Sequence, residues 1–478
     1  MVSRRDFVTR SALAGSALLV SKVGLDVALA DIASAQEHDH EQMGHGASPA
    51  PAPSPAPALD SKPAPEVQGS GHGRAPGGKA EASLRAAMGD KFYSVETPNG
   101  TILPSHVVKG VRVFHLIAEP LKHEFAPGLV SDCWGYNGST PGPTIECLRN
   151  EHVRIYVTNR LPEPTAVHWH GVLLPNGMDG VGGLTQPYIR QGETYRYEFT
   201  PKYSGTFMYH PHVDEMTQMG MGLMGMLIVH DEAKARADKV DRDFALMLSE
   251  WKVTVGASRP DPREMSDFNV LTINGKAFPG TAPLVVRTGQ RVRIRFGNLS
   301  AMHNHPMHLH GYAFRITGTD GGPVPKSAQS PDTTVLVPVG STRDIEFVAD
   351  VPGDWAMHCH FTHHVMNQMG HEGHNMLGMN PGDFDKRMRK VVKGYMTMGH
   401  TGMAEMAKMK MAVPENSIAM QGLPGKHDYI DMGGMFTVLK VRDGIKSYED
   451  PGWYDGPSES QARVATAEEL AADGIKIS

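Results

Sequence analysis

Gly353-Asp354-Trp355-Ala356-Met357-His358-Cys359-His360 occurs in a second version as Gly205-Thr206-Phe207-Met208-Tyr209-His210-Pro211-His212, and this pair decides the fold. Each is led by a matching strand-like run, Ile345-Glu346-Phe347-Val348 and Tyr197-Glu198-Phe199-Thr200, so that Glu, Phe, Gly and both His recur at one constant offset of 148. Upstream, Val167-His168-Trp169-His170-Gly171 matches Met307-His308-Leu309-His310-Gly311 at an offset of 140, and Asn137-Gly138 and Asn274-Gly275 open the two copies. A long unit repeated once predicts two like domains. Inside each copy, runs such as Val153-Arg154-Ile155-Tyr156-Val157 and Val292-Arg293-Ile294-Arg295-Phe296 alternate apolar with polar or amphipathic residues between Gly, Pro and Asn. That is the pattern of strands with one buried face. The expected fold is all-β, two tandem Greek-key β-sandwiches of roughly 140 residues each.

An isolated His on a strand is ordinarily just a hydrogen-bonded residue. Here ten His and one Cys fall into four clusters: His168 and His170; His210 and His212; His305, His308 and His310; and His358, Cys359 and His360 with His364. Residues i and i+2 of a strand share a face, so each His-Xaa-His pair offers two imidazoles to one site. Cys359 faces away from His358 and His360, and one backbone segment therefore joins two metal sites as an electron path. The whole chain holds 25 His, 29 Met and only three Cys, a supply of soft and borderline ligands that favours copper over a disulfide framework.

With its four copper motifs in order, the chain resembles the multicopper oxidases over residues 90 to 445, and tandem cupredoxin-like, plastocyanin-type sandwiches are implied. The resemblance implies four coppers per functional unit. His305, Cys359 and His364 would hold a type 1 copper, with Met369 as its weak axial ligand. His168 and His308 would hold a type 2 copper, and His170, His210, His212, His310, His358 and His360 a type 3 pair. The implied reaction takes single electrons from a small reducing substrate and passes four of them to dioxygen. Because His168 and His358 lie only 190 positions apart, no third sandwich fits between them, and the chain looks like the two-domain small laccases. Those are homotrimers whose oxygen site bridges two subunits. An acidic residue eleven positions after the first motif His assists proton delivery in that family; here it is Asp179, and an Asp-Gly turn formed for backbone reasons is the alternative. Asp214 and Glu215 are further candidates. Copper nitrite reductases share the two-sandwich trimer but lack the paired type 3 His, and a copper-sequestering protein on the same fold is the non-enzymatic alternative.

The rest of the sequence sets the context. A formal charge of −6 offers no basic surplus for nucleic acid or anionic lipid, and no later segment has the apolar length of a membrane span. Arg4-Arg5 ahead of the apolar run Ala12 to Val20 resembles a twin-arginine export signal within residues 1–35, which implies a periplasmic or secreted protein. Residues 36–90 read as a Pro/Ala/His-rich disordered linker, whose His38, His40, Met43 and His45 are either solvated sequence or metal scavengers. The first domain is expected over 91–232, the second over 233–445, and a tail over 446–478. Gly225-Met226-Leu227-Ile228-Val229 begins 13 positions after His212, whereas its counterpart Gly434-Met435-Phe436-Thr437-Val438 begins 74 after His360. About 60 residues, 371–432, are thus inserted beside the type 1 ligands. They carry His371, His374, Met376, Met379, Met388, Met396, Met398, His400, Met403, Met406, Met409, Met411 and Met420. Such thioethers suit Cu(I), and the run resembles the lid of cuprous oxidases tied to copper tolerance; helical spacing at Met403, Met406 and Met409 also fits adaptable packing. Phenols, Cu(I) and Mn(II) all remain open as donors. Cys133 and Cys147 are available to pair in an oxidising compartment.

Overall fold

A computed structural model describes residues 95–231, 239–368, 383–391, 393, 413–420 and 422–477. The export-signal stretch, the linker, Met369 and most of the Met-rich insertion lie outside them. In the first half the strands are β1 (Ser105–Val108), β2 (Val111–Ala126), β3 (Leu129–Tyr136), β4 (Ile145–Leu148), β5 (Val153–Asn159), β6 (Val167–His170), β7 (Thr194–Phe199), β8 (Gly205–Pro211) and β9 (Gly225–His230). One sheet runs β1-β2-β5-β7 with β3 against β2, and the other runs β4-β9-β8-β6. The second half contributes β10 (Arg242–Trp251), β11 (Val270–Ile273), β12 (Leu284–Arg287), β13 (Gln290–Asn298), β14 (His305–Leu309), β15 (Phe314–Thr319), β16 (Gly322–Pro323), β17 (Pro331–Asp332), β18 (Thr334–Val337), β19 (Ser341–Ala349), β20 (Gly353–Cys359) and β21 (Phe436–Arg442). Its sheets run β11-β10-β13-β19-β15-β16 and β12-β21-β20-β14-β18.

The repeat in the sequence is a repeat in topology. β2 lies parallel to β5 as β10 lies parallel to β13, and β4 lies parallel to β9 as β12 lies parallel to β21. The alternation in Val153–Asn159 buries Val153, Ile155 and Val157. Each sandwich closes over its own core, around Trp169, Tyr136 and Ile155 in the first and around Phe296, Phe314 and Leu309 in the second.

A third core joins the halves. β9 and β10 are buried along their whole lengths, and their central residues, Met226 to Val229 and Phe244 to Leu248, are continuous apolar runs, because both of their faces are covered. Met208, Met226 and Ile228 of the first half pack there with Ala245, Met247 and Trp251 of the second. Buried charges cross the same seam. Arg295 donates to the Asp243 carboxylate through two nitrogens, at 2.7 and 2.8 Å, and to Thr206 Oγ1 at 2.8 Å; Thr206 in turn donates to Asp344 at 2.6 Å. Burial pushes the Asp344 carboxyl above the usual carboxylate range. At Asp243 burial acts the same way, but the Arg295 and Arg293 guanidiniums outweigh it and hold the group low. Thr206 belongs to the first sandwich and the carboxylates to the second, so the network fixes how the halves meet.

Cys133 and Cys147 are not paired. Both are free and buried, Cys133 facing the seam and Cys147 the first core, so β3 and β4 aim them into different layers. Past β21, Asp450 pairs with Lys440 and the Tyr454 N–H donates to Asp354, which ties the tail to the second sandwich through Tyr454. No helix among the described residues is long and apolar enough to cross a membrane.

His123 also sits at the seam, its Nε2 2.6 Å from the Gly275 carbonyl and its ring edge-on to Phe125. Burial is the dominant influence and, with Lys276, outweighs the Gly275 hydrogen bond, pulling the imidazole from 6.5 down to about 4. The unfolded chain therefore takes up this proton near 6.5 and the folded chain only near 4, so stability declines as pH falls through that window. A His123→Gln variant should lose that share of the acid slope. Denaturant unfolding at pH 7.5 and pH 4.5 should show the parent dropping further than the variant, by up to about 3 kcal/mol.

Candidate metal centres

The antiparallel pairing of β6 with β8 places His168 opposite His210, and that of β14 with β20 places His308 opposite His358. Adding the i+2 partners His170, His212, His310 and His360 gives two quartets of imidazoles, one in each sandwich. In the first quartet the His168 ring lies 5.6, 5.4 and 5.7 Å from those of His170, His210 and His212. In the second the His308 ring lies 4.8, 5.8 and 5.7 Å from those of His310, His358 and His360. Among the described residues no ring contact or hydrogen bond joins one quartet to the other.

Backbone carbonyls orient the rings. His168 Nδ1 is 2.8 Å from the Asp179 carbonyl, and His308 Nδ1 is 2.7 Å from that of Thr333. His210 and His358 each turn Nδ1 to the carbonyl of the next residue, Pro211 and Cys359, at 2.9 Å. A carbonyl accepts from Nδ1–H and so leaves Nε2 with its lone pair for a metal. Asp179 thus touches the site chiefly through its backbone, its carboxylate standing 3.5 Å from His168 Nδ1. The Glu215 carboxylate reaches 3.3 Å from His210 Nδ1, whereas no contact from the Asp214 side chain to the quartet is seen among the described residues. Burial lowers the imidazoles of His170 and His358, and that of His210 to about 3, which keeps them uncharged and able to ligate.

A third group lies wholly in the second sandwich. His305 on β14, Cys359 at the end of β20 and His364 in the turn Thr362–Val365 converge at full burial. The two Nδ1 atoms are 3.2 Å apart, and Cys359 Sγ lies 3.3 Å from His364 and 3.7 Å from His305. Donors held by one ion at bond lengths of about 2.0 Å to nitrogen and 2.3 Å to sulfur stand roughly 3.1–3.8 Å apart, so these three sit at the edges of a coordination polyhedron. His170 Nδ1 with His210 Nε2 at 3.2 Å, and His310 with His358 at 3.1 Å, repeat that spacing. Burial pushes the Cys359 thiol up to about 12 and pulls His305 down to about 4, and a bound cation is what this pocket lacks to stabilise a thiolate. Two imidazoles and a thiolate are the donor set copper takes in blue electron-transfer sites. The residues fit the ion.

A family model described as multicopper oxidase matches residues 119–234, and a second of the same description matches residues 254–374. The chain belongs to the multicopper oxidases. Among its relatives, this multicopper oxidase is 29% identical over 233 residues to copper resistance protein A of Escherichia coli, covering 39% of this chain and 38% of that one. It is 30% identical over 275 residues to the multicopper oxidase MmcO of Mycobacterium tuberculosis, covering 51% of each. The chain therefore spans two fifths to half the length of these curated relatives. The solved blue copper oxidase of Nitrosomonas europaea superposes with a TM-score of 0.53 over 77% of this chain and 95% of that one; at 24% identity it speaks for the fold alone. Membership implies copper, and among the described residues His168, His170 and His210, and His305, Cys359 and His364, have ligand atoms close enough together to hold an ion.

The residues that brace these sites carry a fainter sequence signal. Ser300 Oγ is 2.6 Å from His305 Nε2, which leaves Nδ1 to face the metal. The Asn298 amide donates to the carbonyls of His303 and Val337 and accepts from the Ser300 N–H, and Asn159 does the same work in the first copy. That recurring Asn after an alternating strand was the available clue. Asn367, three residues beyond His364, donates to the carbonyls of Phe278 and Ala419 and accepts from the Gly434 N–H, while its own N–H binds the Met420 carbonyl. It ties residues 419–420 of the insertion, and Gly434 just past it, to the turn that carries His364. Of the insertion's Met residues, Met388 on the helix Asp383–Val391, Met420 and Met432 are described, and Met369 is outside the described residues. An Asn367→Ala change should cost about 2–3 kcal/mol by stranding the buried Phe278 carbonyl and Gly434 N–H. Unfolding measured with and without copper should show the copper-dependent increment shrinking as well, because the His364 turn loses its clamp.

Proposed function

We propose that the chain is an oxidase that couples one-electron oxidation of a small donor to the four-electron reduction of dioxygen to water. The observation that carries this reading is the segment His358-Cys359: Cys359 Sγ lies in the His305 and His364 group while the adjacent His358 lies in the second quartet, 3.1 Å from His310. His305, Cys359 and His364 would hold a type 1 copper with Met369 as axial ligand; His168 and His308 a type 2 copper; and His170, His210, His212, His310, His358 and His360 a type 3 pair. Copper bound there supplies the one-electron redox chemistry and the place where dioxygen is reduced. The protein's part is to orient and to connect. Two covalently linked residues of β20 serve both sites, so an electron need not cross solvent. Asp179 fixes the His168 ring through its carbonyl, and its carboxyl group, with that of Glu215 beside His210, is placed to hold protons for the reduction.

Each quartet would be half of a trinuclear set, and among the described residues no ring contact or hydrogen bond joins the two. The oxygen site of this reading is accordingly shared between copies in a homotrimer. The donor is a phenol, Cu(I) or Mn(II); the Met-rich insertion clamped beside His364, together with the likeness to a copper resistance protein, supports Cu(I) and a part in copper tolerance. The paired arginines Arg4 and Arg5 support twin-arginine export to the periplasm.

Oxygen consumption by the copper-loaded protein should be measured with each donor in turn. Cys359→Ser should remove the intense visible absorption and lower turnover at least 1000-fold with every donor, since the thiolate ligand and the link are lost together. Retained turnover would refute the proposal. Excising Met376 to Met411 while sparing the packed stretch 413–420 should lower Cu(I) turnover selectively; equal loss with phenols would point to packing instead.

A further inference from the structure

The third metal group has a buried carboxylate beside it that the reaction outlined above leaves unexplained. Glu250 lies near the end of β10 with its side chain fully buried, and among the described residues it forms no ion pair with Lys or Arg. Its partners belong to the loop that leads into β14. Oε1 accepts the N–H of Met302 at 2.5 Å and that of His303 at 3.1 Å, and Oε2 accepts from His303 Nδ1 at 2.7 Å. This loop runs directly into His305. The His303 ring in turn stands edge-on to the ligand His364, 5.3 Å away, and to Phe268 at 6.0 Å, with 22% of its side chain exposed. His364 itself is only 1% exposed, covered by His303, Phe361 and His363. A donor arriving from solvent therefore meets His303 or its neighbours before any ligand ring.

We propose that Glu250 is a positioning residue of the electron-accepting centre, which pins the Met302–His305 loop, holds His303 against His364 and places a buried carboxylate, balanced among the described residues by His303 alone, beside the ligands. The inference rests on the reading of His305, Cys359 and His364 as the copper site that takes up electrons. A carboxylate at this depth acts through a low dielectric and is poorly screened. Through His303 it stands one ring away from His364, and the loop it holds leads directly into His305. It therefore favours the more positive, oxidised state of the centre and lowers its reduction potential. A structural carboxylate that merely tied the loop would leave that potential where it was once its hydrogen bonds were kept.

The test is the potential of the copper-loaded protein, followed by redox titration of its visible absorption, in the parent, in Glu250→Gln and in Glu250→Asp. Glu250→Gln keeps an acceptor for both N–H groups and removes the charge. It should retain the absorption band and shift the potential upward. Glu250→Asp keeps the charge but draws it one methylene away, and should shift it upward by less. Thermal unfolding of the copper-free proteins reports the loop tie separately, and should fall more for Asp than for Gln if reach rather than charge sets that part. A Glu250→Gln protein with the parent's copper content and the parent's potential overturns the inference. Should Glu250→Gln fail to fold, a Glu250→Asp protein of unchanged potential and spectrum overturns it equally. A parent chain that shows no visible band when loaded with copper overturns the underlying reading of the centre, and this inference with it.

Discussion

The structure depends on one register. In each sandwich two neighbouring antiparallel strands are paired so that a His of one stands opposite a His of the other, His168 with His210 and His308 with His358. Because side chains alternate with a strict period of two, a slip of one residue would send every imidazole of a strand to the opposite face and bring Trp169 or Leu309 in their place. The packing of Trp169 with Tyr197 and Tyr209, and of Leu309 in the second core, penalises that slip heavily. The hydrophobic alternation that folds the sandwich is thus the same constraint that gathers the ligands. Cys359 exploits it once more, as the residue that falls on the core face between two ligands on the other.

The seam between the sandwiches is the second determinant. Continuous burial of β9 and β10 and the Arg295 network leave little freedom for one half to swing against the other. Truncating Arg295 would leave the buried Asp243 with Arg293 as its one remaining guanidinium partner among the described residues and take the charge away from Thr206 and Asp344, weakening the seam. The group of His305, Cys359 and His364 lies within one sandwich, whereas the two quartets lie one in each, with no ring contact or hydrogen bond between them among the described residues. A rigid seam fixes that arrangement on folding.

The fold and the clustering of the candidate ligand residues were legible because both are written in local spacing. The duplicated Gly-Xaa-Xaa-Xaa-Xaa-His-Xaa-His runs and the alternating strands needed no knowledge of distant contacts, and the structure returns the repeat as matched sheet orders. What stayed hidden depends on tertiary approach. Glu250 meets His303 across 53 positions and Asn367 meets Phe278 across 89, and no period in the sequence marks either pair. Cys133 and Cys147 flank one turn and invite pairing on the page, yet adjacent strands aim them into separate cores. Asp179 was legible by position, whereas the use of its carbonyl rather than its carboxylate to hold His168 follows from the turn conformation alone.

The most direct test of the account is complementation between two defective copies. One carries His168→Ala and His170→Ala, the other His308→Ala and His310→Ala, and each alone should consume no oxygen. Refolded together with copper at equal amounts, they should regain about a quarter of the parent's oxygen consumption, because that fraction of interfaces in a randomly mixed cyclic assembly joins two intact quartets. Mixed assemblies that form and remain inactive, or either defective copy active by itself, would contradict a site shared between copies.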